Sequence, residues 1–152
     1  MTSHVYPAVT QSNLARTVLR LALGVVFFAH GWQKLVTNGW EATAAGFSGM
    51  GIPLAEAVAV FVIAVEIGGA LLLVLGLFTA LVGVLVAADM IGALVMVHGA
   101  NGIFAADGGW ELVAMIGAAG IALAAAGAGR FSLDRAGAGS RAHGRSRRPR
   151  TA

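Results

Sequence analysis

Four long apolar stretches, set apart by glycine and proline, constrain this chain more than any other feature. They fall at about residues 14–36, 54–76, 79–98 and 110–128. Each is close to the roughly 20 residues that a helix needs to cross a hydrocarbon core. Composition agrees. Only 11% of the residues are charged, against about 25% in soluble domains. The fold class expected is all-α: a polytopic membrane protein built as a bundle of four transmembrane helices. There is no cysteine, which excludes disulfides, thiol redox chemistry and cysteine-ligated metal within the chain.

The punctuation orders the rest. Residues 1–13 are polar and read as an N-terminal tail, with Asn13 as helix N-cap. Arg16 and Arg20 precede the run LALGVVFFA. No small-x-small cleavage site follows it, so the run is read as a retained span. Residues 37–53 form a Gly-rich connection in which Trp40 and Phe47 suggest a short helix at the interface. Pro53 suits the opening of the second helix, and Gly76-Leu77-Phe78-Thr79 leaves room only for a tight turn. The membrane domain is expected over 14–135, followed by a basic, disordered tail over 136–152.

Seven of the ten Lys/Arg lie between Arg130 and Arg150. The net charge of +3 therefore describes that tail, which would rest on anionic lipid. It does not describe a nucleic-acid-binding face. Arg16 and Arg20 share its side, whereas the 37–53 and 99–109 connections carry Glu41 and Asp107 and no Lys or Arg. The positive-inside rule then puts both termini in the cytoplasm of a cell whose plasma (inner) membrane the chain spans.

Of the charged residues in the apolar stretches, three lie more than five residues from either end. Glu66 lies about 18 Å from the outer start of the second, Asp89 about 15 Å from the inner start of the third, and Arg20 about 9 Å into the first. An intramembrane carboxylate needs a partner, and Arg20, Glu66 and Asp89 form the candidate buried polar cluster. His30 and Lys34 form a second candidate site nearer the outer surface, with Lys34 snorkelling to the headgroups. On the fourth stretch Ala114, Ala118, Ala122 and Ala126 read as a packing seam. His98 stands nine residues after Asp89 and so on the opposite side of its helix. That disfavours a His30–His98 haem site, and no ligand spacing argues for a metal.

An ordered set of short motifs carries a resemblance. It comprises Arg20-Leu-Ala-Leu-Gly24 with His30-Gly31-Trp-Gln-Lys34, then Phe47 with Gly51-Ile52-Pro53. Glu66-Ile-Gly68-Gly69 leads into Leu73-Val-Leu-Gly76-Leu-Phe-Thr79, and Gly129-Arg130-Phe131-Ser132-Leu133-Asp134 closes the set. Over about residues 14–135 the chain resembles the DoxX family of small four-helix bacterial membrane proteins. That family is similar to the quinone-reactive subunit of thiosulfate:quinone oxidoreductases, and some members look like anchors of superoxide- and thiol-handling assemblies. The resemblance implies an integral subunit or anchor of a membrane oxidoreductase or oxidative-stress complex. Redox-enzyme partner proteins and, of the cofactors, a quinone would accompany it. Glu66, Asp89 and His30 would then manage protons at the quinone head. Two alternatives stand beside this reading: an assembly scaffold in which the charges only lock the helices, and a small-solute transporter. No self-sufficient catalytic constellation is visible.

Overall fold

The computed structural model describes residues 8–135. The expected tails at 1–7 and 136–152 lie outside them. Among the described residues the secondary structure is all helical, without strands. Helix α1 (Ala8–Trp32) continues through a π-helical turn, Gln33–Thr37. A short α2 (Trp40–Gly49) occupies the Gly-rich connection. Helix α3 spans Ala55–Leu75 with a π-helical segment at Val65–Gly69. Helix α4 spans Thr79–Asn101, with a π turn at Leu94–His98, and α5 covers Glu111–Ala126. Among the described residues three helical stretches are long and apolar enough to cross a membrane: Ser12–Thr37, α3 and α4. The fourth apolar stretch folds as α5, which at 16 residues is shorter.

Two sequence-based boundaries shift for identifiable reasons. Asn13 does not cap α1, because the helix begins upstream of it; its Oδ1 instead accepts the Arg130 N–H at 2.9 Å. Pro53 does not open α3, which starts at Ala55 after Leu54 turns through a left-handed conformation (φ 53°).

The helices pair where side chains are smallest. A Cβ on Gly83 of α4 would stand 2.6 Å from the Gly120 carbonyl of α5, and one on Gly120 would stand 2.8 Å from the Gly83 carbonyl. Only hydrogen fits at either place, so the two backbones lie against each other. The seam of α5 is therefore Val113, Gly117, Gly120 and Leu123. The expected alanine seam is displaced: Ala118, Ala122 and Ala126 are exposed, and Ala114 is half-buried. Glycine offers a closer approach than alanine, and the helix rotates to use it. Helices α1 and α3 pair in the same way through Gly24 and Gly31. Leu23, Phe27, Leu73, Val82, Val86 and Leu123 fill the space between the two pairs. Large apolar residues such as Val25, Leu81, Ile91, Met115 and Ile121 face outward, as a lipid-facing surface requires.

At the end of the bundle opposite α2, the segment after α5 folds back over the α3–α4 turn. Both oxygens of Asp134 accept backbone N–H groups, from Phe78 at 2.9 Å and from Thr79 at 3.1 Å. These are first-turn donors that a helix cannot satisfy internally. The bonds hold Phe78 at φ 50°, a conformation that bulky residues rarely adopt.

Candidate functional site

Two departures from α-helical pitch carry the charged side chains. Lys34 lies in the π turn after α1, and Glu66 in the π segment of α3. Such turns insert an extra residue and frequently mark functional positions. Gly31 lets the two meet, since a Cβ there would lie 2.6 Å from Ile67 Cγ1 and 2.9 Å from Glu66 Cβ. With hydrogen in that place the backbones close up. Lys34 Nζ then donates to both Glu66 oxygens, at 2.7 and 2.8 Å. The Thr43 hydroxyl of α2 donates to the Lys34 carbonyl at 2.8 Å and fixes the end of α1 above the pair. The Glu66 side chain is 6% exposed and that of Lys34 21%. Lys34 thus turns inward to Glu66, where snorkelling to the headgroups was expected. An ion pair spares a carboxylate the cost of burial alone.

Asp89 of α4 lines the same space. It is buried, and its Oδ2 accepts no hydrogen bond among the described residues. Between Asp89 and the Lys34–Glu66 pair opens a cavity of about 550 Å³. Its walls are mostly apolar, with Phe27, Phe61, Met90, Val113 and Ile116 among them. The polar side chains that reach it are His30, Lys34, Glu66, Asp89 and His98. The structure therefore merges the expected outer site, His30 and Lys34, with the two carboxylates of the expected inner cluster.

His98 corrects the helical-wheel argument. It lines the cavity with Asp89 because the Leu94–His98 turn is π-helical and brings later residues round the axis. Its Nδ1 donates to the Gly108 carbonyl at 2.7 Å. That bond ties the 99–109 connection over the cavity, where Ala105, Gly108 and Gly109 form part of the wall. Glu111 secures the same connection from α5 by accepting the Ala105 N–H at 2.7 Å. Neither wall element was identifiable from the sequence, although the turn-rich glycine pattern marked the connection itself. Among the described residues, no group of three or more His, Cys, Asp or Glu side chains could hold a metal ion.

Arg20 does not belong to this cluster, contrary to the sequence expectation. It is 1% exposed and turns toward the α3–α4 turn. Its Nη1 donates to the Leu73 carbonyl at 3.1 Å and its Nη2 to the Phe131 carbonyl. Gly76 makes the berth: a Cβ there would lie 1.9 Å from Arg20 Nη1. Backbone carbonyls of the last turn of α3 and of the segment after α5 thus draw the guanidinium away, and Lys34 supplies the cation that Glu66 requires.

The site joins a bidentate ammonium–carboxylate pair and a second carboxyl, whose Oδ2 has no hydrogen-bond partner among the described residues, on one apolar cavity. It can donate to a ligand oxygen and accept from a ligand hydroxyl or ammonium, while the walls take an apolar body.

A protein-family model described as DoxX matches residues 15–99. A protein of Bacillus subtilis (strain 168) with the printed name "Putative oxidoreductase CatD" is 36% identical over 85 residues. That alignment covers 56% of this chain and 60% of the relative, so the chain spans about three fifths of the relative's length. No solved structure matches.

Proposed function

From the premise that the chain belongs to the DoxX family, whose model covers residues 15–99, we propose that it is an integral subunit of a membrane oxidoreductase system. In this reading α1, α3, α4 and α5 all cross the plasma membrane, and both termini face the cytoplasm. The cavity then opens in the outer half of the bundle and receives a quinone head, with a redox-enzyme partner supplying the electrons. The name of the Bacillus subtilis relative points the same way.

The observation that carries the proposal is the pairing of an apolar cavity of about 550 Å³ with the unpartnered buried Oδ2 of Asp89. Small-molecule pockets fall at about 300–1,000 Å³, mostly apolar with a few convergent polar groups. A quinone presents two carbonyl acceptors and, when reduced, two hydroxyl donors. Lys34 and His30 are the donors available to a carbonyl, and Asp89 is the acceptor available to a hydroxyl. When bound, the quinone would supply two-electron, two-proton chemistry. The protein would orient it, exclude water and hold a proton at Asp89.

The test is to purify the full chain from native membranes, extract it and quantify quinone. Near-stoichiometric quinone in the wild type, lost in a folded Asp89→Asn variant, is expected. Quinone absent from the wild type, or unchanged in the variant, would reject the proposal. A scaffold reading rests on a different observation, the Lys34–Glu66 bond across the α1–α3 crossing. On that reading Glu66→Gln lowers accumulation of the protein and leaves any bound quinone per folded molecule unchanged.

A further inference from the structure

The other end of the bundle carries a second pocket of different character. It has a volume of about 710 Å³ and is lined by Asn13, Arg16, Arg130, Ser132, Asp134 and Arg135, among others. Its frame is fixed by bonds already in place. The Arg130 N–H is held by Asn13 Oδ1, and the Ser132 hydroxyl donates to the Gly129 carbonyl at 2.7 Å. The stem of Arg16 packs on Gly129, where a Cβ would stand 3.4 Å from Arg16 Cβ and Cδ.

Charge in this pocket is unbalanced. Three arginines, Arg16, Arg130 and Arg135, line it together with one carboxylate residue, Asp134. That carboxylate is committed to the N–H groups of Phe78 and Thr79. No side-chain hydrogen bond or ion pair is formed by the three guanidiniums among the described residues. The intervening residues point elsewhere: Phe131 and Leu133 are outside the pocket and 60% and 48% exposed. One short segment therefore offers arginines to a pocket and apolar side chains to its surroundings, beside the end of a membrane-spanning helix. An anion with hydrocarbon attached satisfies both sides at once. Arginine forks suit phosphate oxygens, and exposed apolar residues suit acyl chains.

We infer that Arg16, Arg130 and Arg135 form a binding site for the phosphate headgroup of an anionic phospholipid. The site is distinct from the cavity around Asp89 and does not depend on what that cavity binds.

Native mass spectrometry of the delipidated full chain, titrated with phosphatidylglycerol or phosphatidylcholine in detergent, tests the inference. The wild type is expected to retain phosphatidylglycerol preferentially. Each surface arginine contributes about fivefold in affinity, so an Arg16→Gln, Arg130→Gln, Arg135→Gln variant should bind about 100-fold more weakly. A variant with Arg145, Arg147, Arg148 and Arg150 changed to Gln should keep the preference. If instead the tail variant loses it and the pocket variant keeps it, the inference is overturned. Equal retention of both lipids by the wild type overturns it too. Inorganic phosphate displacing the lipid at equal concentration would identify a soluble-anion site and likewise overturn it. Arg135→Glu at the exposed rim, expected to abolish the preference, serves if the triple variant does not fold.

Discussion

Breaking the Lys34–Glu66 pair from one side should cost far more than removing both halves. Lys34→Met preserves the length and apolar stem of the side chain and deletes the ammonium. Both Glu66 oxygens then lose their donor, at 2.7 and 2.8 Å, in a side chain only 6% exposed. Orphaning one member of a buried pair typically costs 3–5 kcal/mol. Because Lys34 is itself 21% exposed, water can reach part of the site, and about 3 kcal/mol is the expected loss. That corresponds to roughly two decades in the unfolding equilibrium. Glu66→Leu should lose a similar amount, through an uncompensated Lys34. The double variant removes both desolvation penalties and should regain most of the loss. The assay is a double-mutant cycle of reversible unfolding in mixed micelles, with helical ellipticity as readout. A double variant as unstable as the sum of the singles would refute the reasoning. The bond would then contribute nothing as a pair, and the residues would act through separate contacts.

Three further outcomes follow from the packing. Asp134→Ala removes the acceptor of the Phe78 and Thr79 N–H groups and should cost about 1–2 kcal/mol, measured by the same unfolding assay. Gly120→Val places side-chain atoms where a Cβ alone would stand 2.8 Å from the Gly83 carbonyl; cross-linking between cysteines introduced on α4 and α5 should fall sharply. Gly76→Ala sets a methyl group against Arg20 Nη1 at a residue with φ 68°, so protein accumulation should drop even though no charge is altered.

How much of this was legible beforehand depends on what each step relies on. The helical stretches were, because long apolar runs end at glycine-rich turns and lipid leaves the backbone little choice. The inward placing of the two carboxylates was legible too, since an intramembrane charge needs a partner, and Glu66 and Asp89 are both buried. The Lys34–Glu66 bond was not. Wheel arguments assume 3.6 residues per turn, whereas α1, α3 and α4 each pass through a π turn near the cavity. His98 was misplaced for the same reason. Arg20 was assigned by depth to the carboxylates, yet its acceptors are carbonyls of Leu73 and Phe131, which no side-chain pattern encodes. The Gly117–Gly120 seam of α5 was masked by a more regular alanine repeat beside it.

The berth of Arg20 also bears on how the chain is made. Its two acceptors lie 53 and 111 residues further along the sequence. A ribosome adding about 5–20 residues per second needs roughly 5–20 s to go from Arg20 to Phe131. For about the first half of that interval the guanidinium has neither acceptor, and until its end it lacks the Phe131 carbonyl. Completion of the bundle is thus coupled to arrival of the last helix and the segment behind it. A nascent chain stopped before Phe131 leaves the Arg20 guanidinium in its first helix with only one of its two backbone acceptors.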